Sequence, residues 1–204
     1  MTKALDTFHK TINRSNGLLI IYQKTHNNPT FVGLNNADLI RSAIVLAVSG
    51  MDAYFTSRFT ENLISFIKNK GTTRQLVDVL QKAGLNTEQA LQMITMDRPY
   101  RRIRTLVDQY LSEYTTQRFD VIDRLFEIYG INNLTTNAQG LTKRKALIKS
   151  IGRTIKRRHE IVHKGDYNSH DKLKEVDHTR SKKQIADIKL FVESCDRLIT
   201  KILP

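Results

Sequence analysis

The chain has 204 residues, 33 Lys and Arg against 20 Asp and Glu, a formal net charge of +13 and a pI near 9.9. That length suits one domain with a sizeable core, read here as a single unit over 1–204. A basic excess of this size fits a polyanionic partner, nucleic acid before membrane, better than a small neutral substrate. The lone Cys195 excludes an intrachain disulfide framework and a cysteine-rich zinc site.

The polar N-terminal stretch, with Lys3, Asp6, His9 and Lys10, lacks the apolar core of a signal peptide, and no apolar run is expected to reach membrane-spanning length. A soluble, cytoplasmic protein is therefore expected. Three prolines, nine glycines and no alternating strand pattern point to an all-α bundle.

The first helix is expected over about 3–24, with Leu5, Phe8, Ile12, Leu19 and Tyr22 inward. Asn27-Asn28-Pro29 ends it, and a loop runs to Asn35-Asn36. The second helix, which Gly71 closes, is the most hydrophobic and reads as the centre of the bundle, from Leu39 and Ile40 through Met51 to Phe66. Asp52 is a lone acid within it. It reads as a polar residue at the bundle edge or, functionally, as a carboxylate that orients a catalytic base.

Thr72 or Thr73 caps a short helix bearing Leu76, Val79 and Leu80, closed by Gly84. Asn86 or Thr87 caps another, with Leu91 and Ile94 as its apolar marks. Asp97-Arg98-Pro99 starts the next, where Arg101 and Arg102 form either a solvated face or a second nucleic-acid-contacting strip. Phe119, Ile122, Leu125, Phe126 and Tyr129 mark a helix ending at Gly130. Residues 131–140 read as a polar loop.

A long helix over 141–166 follows, with Thr142 as cap. Ala146, Leu147, Ile151, Ile155 and Val162 mark its inner face, and Gly165 stands just past its end. Its outer face carries Lys143, Arg144, Lys145, Lys149, Arg153, Lys156, Arg157 and Arg158. Residues 167–181 read as a mobile loop, and a last amphipathic helix covers about 182–203.

The corner Arg158-His159-Glu160-Ile161-Val162-His163 holds the chemistry. His159-Glu160-x-x-His163 matches the zinc-peptidase pattern, with two imidazoles on one helix face and a glutamate as base. The surrounding Arg157, Arg158 and Lys164 oppose a divalent ion, and Gly165 and His170 miss the extended ligand spacing. A third ligand would have to come from Glu175, His178 or Glu193. Arg158 with His163 offers metal-free RNA cleavage instead: an imidazole moves protons near neutral pH and a guanidinium forks onto phosphate. The structural alternative is a helix-end histidine beside a solvated arginine. At about 100° per residue the pair stands about 140° apart, so the two converge only if Arg158 reaches round, or if a kink or a second chain completes the site.

RRHEIVHKGD at 157–166 resembles the Arg-x4-6-His signature of the HEPN superfamily. SAIVLAVSGMDAYFTSRFTENL at 42–63 resembles the long second helix of its RiboL-PSP-HEPN-like branch, and DRPYRRIRTLVDQYL at 97–111 and QRFDVIDRLFEIYGI at 117–131 resemble its middle helices. The likeness covers most of the chain and is weakest before Ala37 and after Asp166, which puts the core at about 36–166.

The resemblance implies an all-α bundle, a homodimer and, in many members, a metal-independent endoribonuclease of toxin–antitoxin, abortive-infection or anti-phage systems. Other members only bind RNA or nucleotide. Carried onto this chain, it makes Arg158 and His163 the catalytic pair and His159 the polar neighbour; in the nuclease reading His159 and Asp166 orient or assist. Arg153, Lys156, Arg157 and Lys164 would attract the RNA backbone. No cofactor or metal is implied; the expected partners are RNA, a second copy, and an antitoxin or defence protein. HEPN toxins paired with a nucleotidyltransferase antitoxin often carry a tyrosine two residues after the histidine; here Gly165 stands there and Tyr167 is nearest.

Overall fold

A computed structural model describes residues 2–26, 28, 30, 36–114 and 116–203. Most of the expected 27–35 loop lies outside the described residues. Among them are nine helices: α1 (Lys3–Thr25), α2 (Ala37–Lys70), α3 (Arg74–Lys82), α4 (Thr87–Ile94), α5 (Pro99–Ser112), α6 (Phe119–Glu127), α7 (Leu134–Gly140), α8 (Leu147–Lys164) and α9 (His178–Ile202). No strand occurs among the described residues; Tyr167 and Leu173 form an isolated antiparallel bridge. The fold is all-α, as composition and pattern predict.

The 34-residue α2 is the axis, and α1, α5, α6, α8 and α9 all pack on it. Its buried side chains cover most of the helix, from Ile40 and Ile44 to Phe55, Phe59 and Phe66, while Ser42, Ala53 and Ser57 mark an exposed strip. The expectation that no apolar run reaches spanning length fails here. By length and composition α2 could cross a membrane, although 56% of its most apolar window is buried in protein. A long core helix with so narrow a polar face has the length and composition of one in lipid.

The expected core of 36–166 is too narrow. The packing of α1 along α2 is the most extensive in the fold, and α9 covers both. Gly50 permits the close crossing of α1, because a Cβ there would lie 2.8 Å from the Thr11 methyl. Phe55 of α2 meets Phe126 of α6 and Phe191 of α9 with ring centroids 6.1 and 6.0 Å apart. Cys195 lies in this core, where burial pushes its thiol pKa well up.

Side-chain caps set several boundaries. The Thr73 and Asn86 oxygens accept the amides of Leu76 and Gln89 at 3.2 and 2.8 Å, starting α3 and α4. In α4 the apolar pattern faces the other way: Leu91 and Ile94 are exposed and Met93 is buried. The expected loop at 131–140 contains α7, which buries Leu134 and Ala138 and packs on α9. The Asp123 carboxylate anchors its first turn, accepting the Thr135 amide at 2.8 Å and hydroxyl at 2.7 Å.

The helix expected at 141–166 begins six residues late. Thr142 donates its hydroxyl to the Gln139 carbonyl instead of capping α8, and the Gln139 side chain accepts the Ile148 amide at 2.9 Å. Ala146 is exposed rather than inward.

Candidate nuclease site at the end of helix α8

α8 lies on α2, α7 and α9 through Leu147, Ile151 and the half-buried Ile155, with Thr154 also buried. Beyond Ile155 this stripe leaves the core. Arg158 continues it, half-buried, and Val162 is 47% exposed rather than inward. The Arg158 Nε is enclosed by the protein, yet no hydrogen bond or ion pair reaches this side chain among the described residues. His163 is exposed, and its ring lies 4.3 Å from that of His159 at an interplanar angle of 43°. The helix geometry keeps Arg158 and His163 about 140° apart within one chain.

α8 ends in a built corner. Gly165 takes a left-handed φ of 60°, and the amides of Gly165 and Asp166 both turn back to the Glu160 carbonyl. Asp166 follows, also left-handed at φ 64° and fully buried. Its Oδ2 accepts from Arg41 Nε of α2 and from Arg157 of α8, each at 2.7 Å. The same two guanidiniums reach the carbonyls of Lys174 at 2.6 Å and Glu175 at 3.1 Å. Lys174 closes the ring by donating its amide to the Asp166 carbonyl at 2.9 Å and its ammonium to Glu160 at 2.8 Å.

Two site assignments sharpen accordingly. Of the orienting and assisting roles expected for Asp166, burial between two arginines leaves the first: it positions the chain that follows His163. Arg157 is committed to that carboxylate and to loop carbonyls, so it is not a free phosphate ligand. Neither role has a sequence signature, since Arg41 lies 125 residues from its partner. Arg153, Lys156 and Lys164 are exposed on α8. Arg144, expected on the solvated face, instead pairs with Asp187 of α9 at 2.7 Å.

Arg101 and Arg102 are exposed on α5, which packs on α2, α3 and α4 but is not a packing neighbour of α8. Asp52 holds the connection between α5 and α6: its carboxylate accepts from the Thr116 hydroxyl and from the Gln117 side-chain Nε2, the latter at 3.1 Å. It is a structural lock rather than the orienter of a base.

Among the described residues no group of three or more His, Cys, Asp and Glu side chains is placed to hold a metal ion. Of the third ligands the zinc pattern would need, His178 stacks on Tyr22 at 5.6 Å and Glu193 accepts from His9 at 3.0 Å. Glu160, the would-be base, turns to Lys174. The segment at 167–177 carries a defined turn, with the Asn168 side chain accepting the amides of His170 and Lys172 at 2.9 and 3.0 Å. α9 begins earlier than expected, because Asp177 caps it by accepting the Arg180 amide at 2.6 Å.

An all-α bundle built on one long central helix, with an Arg-x4-His corner at the end of a basic neighbour, fits a HEPN-type domain. The RiboL-PSP-HEPN family model matches residues 10–201, and the chain belongs to that family. Nothing among curated proteins or solved structures matches it. Membership supports a nuclease or RNA-related function in general.

Proposed function

We propose that the protein is a metal-independent endoribonuclease. The observation that carries this is the presence, on one cationic helix, of an Arg158 with no partner among the described residues and an exposed His163 just before the Asp166 corner. An RNA linkage contains its own nucleophile. His163 takes the proton of the 2′-hydroxyl, the 2′-oxygen attacks the adjacent phosphorus, and the bond to the 5′-oxygen breaks as that oxygen takes a proton from water; the imidazolium then returns its proton to solvent. Arg158 holds the non-bridging oxygens through the charge build-up. The products are a 2′,3′-cyclic phosphate and a 5′-hydroxyl. Nothing in this sequence of steps needs a cofactor.

The splay of about 140° favours a site completed across a homodimer, Arg158 of one protomer facing His163 of the other. The protruding Val162 supports such an interface. In this reading the enzyme acts in the cytoplasm, away from membranes, as a toxin or anti-phage effector restrained by a dedicated protein partner. The same splay also favours a second reading, in which a single chain binds RNA phosphate without cleaving it.

Incubating the protein and its His163→Ala variant with total RNA and tRNA in EDTA, then mapping product ends, tests the proposal. Cleavage by the wild type alone, leaving cyclic phosphates, is expected. Cleavage retained by His163→Ala, or lost in EDTA, overturns it. RNA binding without cleavage by either moves the protein to the second reading.

A further inference from the structure

A groove of about 450 Å³ runs between α8 and the start of α9. Arg153, Lys156 and Arg157 line it from one side, Arg180 and Gln184 from the other, with Glu160, Glu175 and Asp177 at its edges. By formal charge the walls carry a slight cationic excess. Glu160 is held by Lys174 at 2.8 Å and Arg157 is committed to Asp166, so both are engaged outside the groove. Asp177 caps α9 by accepting the Arg180 backbone amide at 2.6 Å and keeps its charge. What remains is Arg153, Lys156 and Arg180, all exposed and with no carboxylate partner among the described residues, against Glu175 and Asp177.

The groove also shares a side of α8 with the histidine. Lys156 and His163 are seven residues apart, which places them within about 20° around the helix and about 10 Å along it. Arg158 faces elsewhere. A cavity of this volume admits a small-ligand-sized portion of one strand rather than a duplex.

We propose that this groove seats the phosphodiester backbone of single-stranded RNA next to the linkage presented to His163. Arg180 contacts phosphate alongside Arg153 and Lys156, and the Gln184 amide, which makes no side-chain hydrogen bond among the described residues, supplies a neutral donor and acceptor. The inference rests on the RNA-directed reading of α8. It adds a second wall, from α9, that the Arg-x4-His motif does not contain.

The test uses the full chain carrying His163→Ala, so that RNA is bound and not consumed. A labelled single-stranded oligoribonucleotide is titrated by fluorescence anisotropy over a salt series. Adding Arg180→Gln or Arg153→Gln should weaken binding several-fold and flatten the log–log salt slope by about 0.7 per lost contact. Arg74→Gln, an exposed cation on α3, should do neither. Equal loss from Arg74→Gln overturns the groove, and so does undiminished binding by Arg180→Gln. If the His163→Ala chain binds no RNA at any salt, the RNA reading itself fails.

Discussion

Two buried arginines on α2 do different work. Arg58 sits at the middle of the helix and spends its donors on side chains: Asp196 at 3.2 Å, Asn62 at 2.9 Å and Thr200 at 3.1 Å. Tyr54 adds its hydroxyl to the same Asp196 oxygen at 2.8 Å, and burial followed by that carboxylate raises the tyrosine pKa well up. Arg41, about 25 Å along the axis, spends its donors on Asp166 and on the carbonyl of Lys174. The first knot joins two helices that apolar burial already holds together. The second holds a loop whose large apolar side chains, Tyr167 and Leu173, are 51% and 38% exposed. At the α8 corner, ion pairing stands in for a core.

The largest effect expected from this contrast is Arg58→Ala. It strands Asp196 beneath α9 and should lower unfolding stability by about 3–5 kcal/mol, read by denaturant titration. Replacing the pair together, Arg58→Met with Asp196→Leu, should recover only part of that loss, because it removes the stranded charge but leaves the buried Tyr54 hydroxyl and Asn62 oxygen without these partners. A double variant as unstable as the single one would show that the network does more than tie two helices.

Asp166→Asn comes next. It removes the charge between two guanidiniums and should cost about 2 kcal/mol. Its effect on the proposed cleavage should be out of proportion to that cost, because the carboxylate fixes the chain just past His163. At a temperature where both variants stay folded, Arg58→Ala should cleave RNA nearly as the wild type does, and Asp166→Asn should be many-fold slower. Equal rates in the two variants would erase the distinction between the knots.

Much of this architecture is legible in the sequence. The apolar run of α2, the threonine cap of α3, the asparagine cap of α4, proline at the start of α5 and glycine after α8 are local signals, and each places its element. α7 is missed because its seven residues include only Leu134 and Ala138 as buried apolar anchors, too few for a period to show. The late start of α8 is missed because Thr142 is a plausible cap by type, while the group that receives the first turn is the Gln139 side chain. The site is half legible. Arg158 and His163 stand out by spacing. The roles of Asp166 and Arg157 depend on Arg41, and the groove depends on Arg180, and no local pattern links residues so distant in the chain.

The smallest effect separates the two knots by pH. Lys174 lies 2.8 Å from Glu160 and holds its carboxyl below the usual carboxylate range, with Arg157 and Lys156 nearby adding to the shift. A depressed folded pKa gives stability that is present above the unfolded value and is lost as pH falls through the folded one. The pair is partly exposed, so its contribution is under about 1 kcal/mol and weakens with salt. Lys174 also presents its carbonyl to Arg41 and its amide to Asp166, so loosening it should register at the corner first. The Lys174 amide should therefore lose hydrogen-exchange protection on acidification before the amides of α2 and α9 around Arg58 do. Glu160→Gln should lower that protection at neutral pH and remove part of its acid dependence. If the wild-type and Glu160→Gln profiles superimpose, the pair contributes nothing to the corner, and the arginine–aspartate knot holds it alone.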